Sequence, residues 1–361
     1  MQKHLVRPAV AVVGLAVLVL SALGVTSATA SSQRTSASAD VCVLLPDTKT
    51  SVRYELFDRP YLAAAFKKAG VSATIVNAQG SAQKMRSQAD DCLANGAKVV
   101  LLDALDAGSG TAITNAVDAG KGKVIDYDRL VVGSKAAYYL SFDNVKVGKL
   151  MGNGLVAALK KTGKYGAHPI VSELNGGITD NNAKLFKQGY DSVLAPLYKT
   201  GVLKKATGGD QWTDWDNQKA LTIFEQILAR NSNKIDASIA ANDGLANAVV
   251  VSLKAHKLDP IPLSGQDATT QGVQNIISGW QTMTVFKDVR KLATAAAKAA
   301  VNLVKGKKVP TTGKVATKGR SAEPAYLIAP QPITKANYTL LFTSGFLKKG
   351  DVCNGDYAQY C

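Results

Sequence analysis

The chain alternates short apolar runs with amphipathic stretches from Val41 onwards. Val41 to Leu45 is continuously apolar and is followed by Pro46-Asp47, a pattern typical of a buried strand. Tyr61 to Ala69 has apolar residues at helical spacing and stops at Gly70, which predicts a helix. By the same criteria we predict strands at 73–76, 98–102, 123–125 and 138–140, and helices at 82–94 and 111–119.

The same alternation begins again after residue 140. Strands made of continuous Val, Ile and Leu, each followed by a helix, indicate a parallel sheet that is covered on both faces. No low-complexity linker separates the two halves, so we predict an α/β protein built from two similar and closely joined units. In the second half we predict strands at 169–172, 237–240, 261–264 and 282–286, and helices at 144–161, 181–194, 216–229, 244–257 and 289–304.

Length and charge narrow the class of protein. A length of 361 residues exceeds an ordinary single domain and suits two, and a hydrophobic fraction of 46% is enough for full cores. The formal net charge of +16 is carried by lysines in short scattered groups such as Lys67-Lys68 and Lys204-Lys205. Since these groups do not form one basic arm, we interpret the charge as solvated surface and expect no nucleic-acid partner.

The N-terminus has the pattern of an export signal. Lys3 and Arg7 precede an apolar run from Pro8 to Val25, and small residues follow it. This order predicts a removable signal peptide over residues 1–30, and residues 31–40 then form a flexible leader. A permanent membrane anchor is the alternative, although the apolar run is near the lower limit for a span.

Four cysteines fit an exported chain. An even count favours two disulfides, although four cysteines allow three pairings. A Cys353–Cys361 bond would staple the C-terminal tail, and a Cys42–Cys92 bond would tie the first strand to a nearby helix. A lipid-anchored Cys42 is the competing interpretation. Without a CxxC motif or a Cys/His cluster, we expect no metal site and no cofactor.

Polar and aromatic side chains follow the predicted strands. Ligands of open α/β sheets bind beyond the carboxyl ends of the strands. Carboxylates, amides, Arg and Lys pair with sugar hydroxyls, and an aromatic ring covers the apolar face of a pyranose. Taken singly, such residues have plainer interpretations: a helix cap for Asn182 or Asp243, and a core position for Trp212 or Trp215. The candidates include Asp47, Arg53, Tyr54, Asp128, Arg129, Asp143, Asp180, Asn182, Asp210, Trp215, Asn242, Gln266, Asp267 and Lys287.

Catalysis has little support in the sequence. His4 belongs to the predicted signal peptide, so only His168 and His256 remain for a Ser/His/Asp system. The carboxylates make a glycoside hydrolase the enzyme alternative, without any feature that selects it. We therefore expect a binding protein rather than an enzyme.

Three stretches carry more specific information, namely Tyr127-Asp128-Arg129, Asp180 to Phe186 (DNNAKLF) and Ser264 to Ala268 (SGQDA). With them the chain resembles the periplasmic sugar-binding proteins of ABC importers, above all the D-xylose-binding members, from about Val41 to Leu347. The resemblance implies a type I periplasmic binding protein, which captures a monosaccharide, with D-xylose favoured, and delivers it to an importer permease. It also implies a monomer, located in a periplasm or at a cell surface.

Carried over residue by residue, the resemblance implies a set of sugar contacts. The family has an Arg-Trp pair where this chain has Arg53-Tyr54, so Tyr54 is expected to stack in place of the tryptophan, and this departure bears on the selectivity for xylose. Trp215 rather than Trp212 matches the stacking tryptophan of the second half. The implied contacts are Arg53, Arg129, Asn182, Trp215, Asn242, Asp267 and Lys287, with Tyr54 beside them.

The resemblance further implies two doubly wound parallel-sheet lobes joined by a three-crossing hinge. Only the closed state makes both sets of contacts, so a sugar would favour it. A sugar sensor or regulator with the same fold is an alternative, which would need a signalling or DNA-binding domain. The lobes would be 41–143 plus 288–314 and 144–287 plus 315–347, with a disulfide-closed tail at 348–361 and crossings near Asp143, Lys287 and Val315.

Overall fold

A computed structural model describes residues 39–48, 52–317 and 320–361. The predicted signal peptide, residues 1–30, and nearly all of the predicted leader lie outside the described residues. The described chain is an α/β protein with two main sheets. None of its described helices combines the length and the apolar character that a membrane span needs.

Strands and helices alternate through most of the described chain. The strands are β1 (Val41–Leu45), β2 (Ala73–Asn77), β3 (Val99–Leu102), β4 (Lys123–Tyr127), β5 (Tyr138–Phe142), β6 (Ile170–Asn175), β7 (Lys204–Trp212), β8 (Ala237–Ala240), β9 (Met283–Phe286), β10 (Gly313–Thr317), β11 (Arg320–Ile328) and β12 (Gln331–Thr334). The α-helices are α1 (Arg59–Ala69), α2 (Ala82–Ala94), α3 (Ala107–Ala119), α4 (Asn144–Lys161), α5 (Asn181–Lys199), α6 (Asn217–Arg230), α7 (Asp243–Ala255), α8 (Thr270–Ile277), α9 (Val289–Val304), α10 (Thr339–Thr343) and α11 (Lys349–Val352). A π-helical turn, Tyr54–Asp58, leads into α1.

The first sheet has seven strands in the order β10-β11-β5-β4-β3-β1-β2. Its neighbouring strands are parallel except β10, which runs antiparallel to β11. Val41, Val43 and Leu45 of β1 pack on the face that carries α1 and α9, whereas Cys42 and Leu44 pack on the face that carries α2 and α3. Because both faces are covered, β1 is apolar at every position.

The second sheet contains the parallel strands β7-β6-β8. Leu263 extends it by a single parallel bridge to Ser238, so the strand predicted at 261–264 is reduced to one bridged position. Beside it, β9 pairs antiparallel with β12, and Gln266 bridges to Val285 of β9. The parallel strands of the second sheet therefore end at one edge, as the parallel strands of the first sheet do.

Helices α4 and α5 pack tightly against each other within the second unit. Gly148 of α4 faces the main-chain oxygen of Phe186 in α5, and Gly189 of α5 faces the main-chain oxygen of Val145. A Cβ atom at either glycine would collide with the facing oxygen. This close approach sets the position of the N-terminal half of α5, which contributes to the site described below.

The chain passes between the two sheets at a different place from the one predicted. The sequence assigned residues 315–347 to the second lobe, but β11 pairs in parallel with β5, so β10 and β11 belong to the first sheet. The chain returns to the second unit only at β12, which pairs with β9. The predicted boundary was wrong because β11 contains Glu323 and Pro324 and lacks the continuous apolar run used to recognise strands.

Both predicted cysteine pairs form disulfides. Cys42–Cys92 ties β1 to α2, and Cys353–Cys361 closes the C-terminal tail. The tail is anchored where Gln274 Nε2 of α8 donates a hydrogen bond to the main-chain oxygen of Val352 at 3.1 Å. The tail is therefore packed on the fold rather than frayed.

Candidate functional site

Twelve side chains from the two units enclose one cavity. They lie just after strands, or at the start of the helices that follow, where the carboxyl ends of parallel strands meet. All eight residues that the sequence predicted as ligand contacts are among them. The twelve are Arg53, Tyr54, Asp128 and Arg129 from the first unit, and Asp180, Asn182, Phe186, Trp215, Asn242, Gln266, Asp267 and Lys287 from the second unit and the crossing after β9.

Arg53 is held by carboxylates on the first side of the cavity. Its Nε lies 2.9 Å from Asp58 Oδ2, and its Nη1 lies 3.1 Å from Asp128 Oδ1. Tyr54 Oη donates a hydrogen bond to Asp128 Oδ2 at 3.2 Å. Burial alone would lower the pKa of Arg53, but Asp128 and Asp58 outweigh it and raise that pKa well above its ordinary value. The guanidinium is therefore a fixed cation and Asp128 a fixed acceptor.

Arg129 joins the two sides of the cavity. Its Nε lies 3.5 Å from Asp103 Oδ1, beyond β3, and 3.5 Å from Asp180 Oδ2, at the start of α5. Burial alone would lower the pKa of Arg129, but Tyr54, Asp180 and Asp103 outweigh it and raise that pKa well above its ordinary value. Burial, reinforced by the Asp128 carboxylate, raises the pKa of Asp103 well above its ordinary value. Arg129 thus links carboxyl groups of both units.

Asn182 also connects the two units. Its Nδ2 donates to the main-chain oxygen of Asp128 at 2.9 Å, while its Oδ1 accepts from Tyr139 Oη at 3.1 Å and from Asn144 Nδ2 at 2.8 Å. The helix cap is Asp180, whose Oδ1 accepts from Asn182 N at 2.8 Å. Asn182 is therefore a contact between the units and not the cap of α5.

Trp215 is the tryptophan that faces the cavity. Its Nε1 donates to Asp180 Oδ2 at 3.0 Å, and its ring lies against Gly176, where any Cβ atom would collide with the indole. The Phe186 ring meets it edge-on, with centroids 6.3 Å apart. Trp212 instead packs on the core of the second unit and does not line the cavity. The indole of Trp215 is thus fixed in orientation beside the polar groups.

Lys287 and Asp267 form a buried ion pair. Lys287 Nζ lies 3.1 Å from Asp267 Oδ1, and both side chains are about 5% exposed (4% and 6%). The ammonium also lies 5.7 Å from the ring centroids of Phe142 and Phe186. A cation in this position is attracted by the faces of both rings.

Two amide side chains complete the second side. Asn242 caps α7, since its Oδ1 accepts from Leu245 N at 2.8 Å. It therefore combines a capping role with a place in the cavity, whereas the sequence had offered the neighbouring Asp243 as the cap. Within the described part of the chain, the buried Gln266 Oε1 has no hydrogen-bond partner. This oxygen is an acceptor that a hydroxyl group in the cavity would satisfy.

The cavity is narrow in this arrangement. The space left between the side chains is about 20 Å³, which is room for roughly one water molecule. A pyranose ring is several times larger, so it would fit only if the side chains around the cavity moved apart. Its hydroxyl groups would then exchange with contacts that the charged residues now make with one another.

The sequence also matches a known protein family. Residues 42–308 match the family described as a periplasmic binding protein domain. The chain belongs to the periplasmic binding protein family. Periplasmic binding proteins of this kind are transport components, so the expectation of a binding protein rather than an enzyme is confirmed.

This periplasmic binding protein is similar to two curated relatives described as D-xylose-binding periplasmic proteins. The relative from Haemophilus influenzae is 41% identical over 217 residues, which are 60% of this chain and 62% of the relative, so this match spans less than two thirds of that protein. The relative from Escherichia coli K12 is 34% identical over 298 residues, which are 82% of this chain and 87% of the relative.

A solved structure shows the same type I fold. It is an ABC transporter solute binding protein from Clostridium phytofermentans with bound β-D-glucose. The two chains are 28% identical and superpose with a TM-score of 0.81 over 86% of this chain and 99% of the other. The predicted fold class, two doubly wound lobes of a type I periplasmic binding protein, is thereby confirmed.

Four of the twelve cavity residues were not among the predicted contacts. Asp128, Asp180 and Gln266 were among the candidates that follow predicted strands. In each case, however, the resemblance assigned the sugar contact to a nearby residue. Phe186 reads as an apolar position of a helix, and only the tertiary structure turns it towards the cavity. Within the described residues, no cluster of three His, Cys, Asp or Glu side chains is placed to hold a metal ion.

Proposed function

We propose that this chain is an exported monosaccharide-binding protein that captures D-xylose between its two lobes and delivers it to the permease of an ABC importer. It acts as a monomer in a periplasm or at a cell surface. The observation that carries the proposal is a cavity lined by charged, amide and aromatic side chains from both units, nearly all of them buried. The names of the two D-xylose-binding relatives support the choice of sugar.

The proposed ligand contacts are the eight residues predicted from the sequence, with Gln266 as an additional acceptor. A sugar hydroxyl that pairs with a buried charged group gains a strong hydrogen bond, and an analogue without that hydroxyl leaves the group unpaired. The Trp215 indole would cover an apolar face of the ring. Such a site selects among monosaccharides by the positions of their hydroxyl groups.

A hexose is the second candidate ligand. The structural neighbour with bound β-D-glucose is 28% identical to this chain. Tyr54, where the resemblance implies tryptophan, is a smaller side chain on the first side of the cavity. A hexose needs extra room for its hydroxymethyl group, which a smaller side chain can leave.

Calorimetric titration of residues 31–361 with D-xylose, L-arabinose, D-ribose, D-glucose and D-galactose tests the proposal. We expect one-site binding that is tightest for D-xylose. Tighter binding of D-glucose would establish the hexose candidate instead. The absence of heat with every aldose, for a protein that unfolds cooperatively, would contradict sugar capture.

A further inference from the structure

Asp243 is a buried carboxylate directly behind the cavity. It is the first residue of α7, follows Asn242 in the chain, and is 1% exposed. It is not among the twelve side chains that enclose the cavity. Its main-chain N donates to the main-chain oxygen of Gln266 at 3.0 Å. Asp243 thus lies between two cavity residues without facing the cavity.

The Asp243 carboxylate is hydrogen-bonded to the chain segment that carries Asp267. Its Oδ2 accepts hydrogen bonds from Thr269 N at 2.8 Å and from Thr269 Oγ1 at 3.2 Å. Its Oδ1 accepts from Gln281 Nε2 at 2.9 Å. Several donors from outside α7 therefore converge on one carboxylate, and two of them belong to Thr269, the N-cap of α8.

The chain segment from Gly265 to Gly272 approaches this carboxylate closely at both of its ends. Gly265 and Gly272 flank the turn, and a Cβ atom at either position would collide with the Asp243 carboxylate oxygens. Glycine is required there because the carboxylate occupies the place of a side chain. The segment and Asp243 therefore fit together as one unit.

The turn between these glycines has an unfavourable backbone. Asp267 and Ala268 have φ values of 94° and 51°, a region that residues with a side chain rarely adopt. Such conformations persist only where surrounding contacts hold them. Thr269, the next residue, donates both its main-chain N–H and its hydroxyl to Asp243, so that carboxylate holds the C-terminal end of the turn.

We propose that Asp243 is a positioning residue of the sugar site, which holds the turn from Gln266 to Ala268 so that Asp267 faces Lys287 and the cavity. This inference rests on the proposed function. Without the Asp243 carboxylate the turn would relax, and only the fraction of molecules that keeps the bound geometry would accept the sugar. The apparent affinity falls in proportion to that fraction.

The test compares Asp243→Ala with Asp106→Ala. Asp106 caps α3 and accepts from Ser109 N at 2.9 Å and from Ser109 Oγ at 2.7 Å, so it matches the chemistry of Asp243 outside the cavity. At pH 8 we expect D-xylose binding to weaken roughly tenfold or more in Asp243→Ala and less than about twofold in Asp106→Ala. Asp243→Asn, which keeps one acceptor for Thr269, should recover part of the loss.

Two further measurements separate positioning from a general loss of stability. Stopped-flow tryptophan fluorescence should show a slower association rate in Asp243→Ala with little change in the dissociation rate. Hydrogen exchange should accelerate in the peptide 265–272 and not in peptides of α3. Where Asp243→Ala does not fold, Asp243→Asn and Thr269→Ala are measured in its place. Each of them should weaken D-xylose binding more than Asp106→Ala does.

Equal sugar affinities in Asp243→Ala and Asp106→Ala would overturn the inference, provided that the unchanged protein binds. Failure of the unchanged protein to bind any monosaccharide would instead overturn the proposed function. An affinity loss caused only by faster dissociation would also contradict the positioning role.

Discussion

The charged side chains around the cavity are paired with one another. Arg53 contacts Asp58 and Asp128, and Lys287 contacts Asp267. Pairs of this kind are expensive to break from one side, because the remaining charge stays buried. Truncation of one of these residues is therefore expected to destabilise the fold as well as to weaken sugar binding.

Substitution of Lys287 should separate the effect on stability from the effect on sugar binding. Lys287→Met leaves Asp267 buried without its ion-pair partner, and we expect a loss of about 3 kcal/mol of unfolding free energy. The double variant Lys287→Met/Asp267→Asn removes both charges and should regain most of that loss. Both variants should lose sugar binding. Urea denaturation and calorimetry measure the two effects, and an equal instability of the single and double variants would contradict the pairing.

The two tryptophans near the end of β7 provide a matched comparison. Trp215→Ala removes the indole that Asp180 orients beside the cavity, and we expect sugar affinity to fall by about 100-fold, equivalent to about 3 kcal/mol. Trp212→Ala removes an indole of the same size that packs outside the cavity, so its affinity should change less than about threefold. Calorimetry decides between them, and similar losses in both variants would argue against stacking by Trp215.

Asp243 should give the protein a pH-dependent stability. Burial raises the pKa of its carboxyl from 3.8 to about 7, and the nearby Asp267 carboxylate adds to the rise, although hydrogen bonds from Gln281 and Thr269 oppose it. The folded state then holds the proton more tightly than the unfolded chain. Its stabilising contribution is therefore complete below about pH 4 and is lost as the pH rises towards about 7.

Denaturation of the unchanged protein and of Asp243→Asn from pH 4 to pH 8 measures this contribution. The difference in unfolding free energy should shift in favour of the unchanged protein by up to about 1.4 kcal/mol per pH unit towards acid. A difference that does not vary with pH would show that the carboxyl titrates at its ordinary pKa.

At the scale of single residues, the strand-end rule found most of the cavity. It worked for Arg53, Arg129 and Asp267 because parallel strands bring their carboxyl ends to one edge wherever they lie in the chain. It could not distinguish Asp180 as a hub for Asn182, Trp215 and Arg129, because a cap and a site residue look alike in sequence. Only the folded chain shows that one carboxylate does both.

At the scale of elements, apolar runs predicted the strands that are buried on both faces. They missed β7, which contains Lys204, Lys205 and two glycines, and β11, which contains Glu323 and Pro324. These strands lie at or near sheet edges, where one side of the backbone faces away from the core and the pattern weakens. The third chain crossing was misplaced for that reason.

The contact between α4 and α5 should be intolerant of any side chain at Gly148. Gly148→Ala would drive a methyl group into the main chain of Phe186, and we expect a loss of about 2 kcal/mol or more of unfolding free energy. Gly166→Ala is the control, because no atom lies within 4 Å of the added methyl group. Thermal and urea denaturation compare the two, and equal stability would contradict the close helix packing.

At the scale of the whole molecule, the cavity exists only because two separate sheets meet. Arg129 reaches Asp180, and Asn182 reaches Asp128, across the boundary between them. A sugar that replaces such contacts would hold the two lobes together, since neither lobe alone carries the full set of partners. Coupling between ligand capture and closure follows from this division of the site.

The most direct test of sugar capture is a crystal structure of residues 31–361 grown with saturating D-xylose. We expect one sugar in the cavity, with the Trp215 indole against its ring and hydrogen bonds from both Arg129 and Asp267. A sugar bound elsewhere on the molecule, or contacted by one lobe only, would contradict the proposed capture between the lobes.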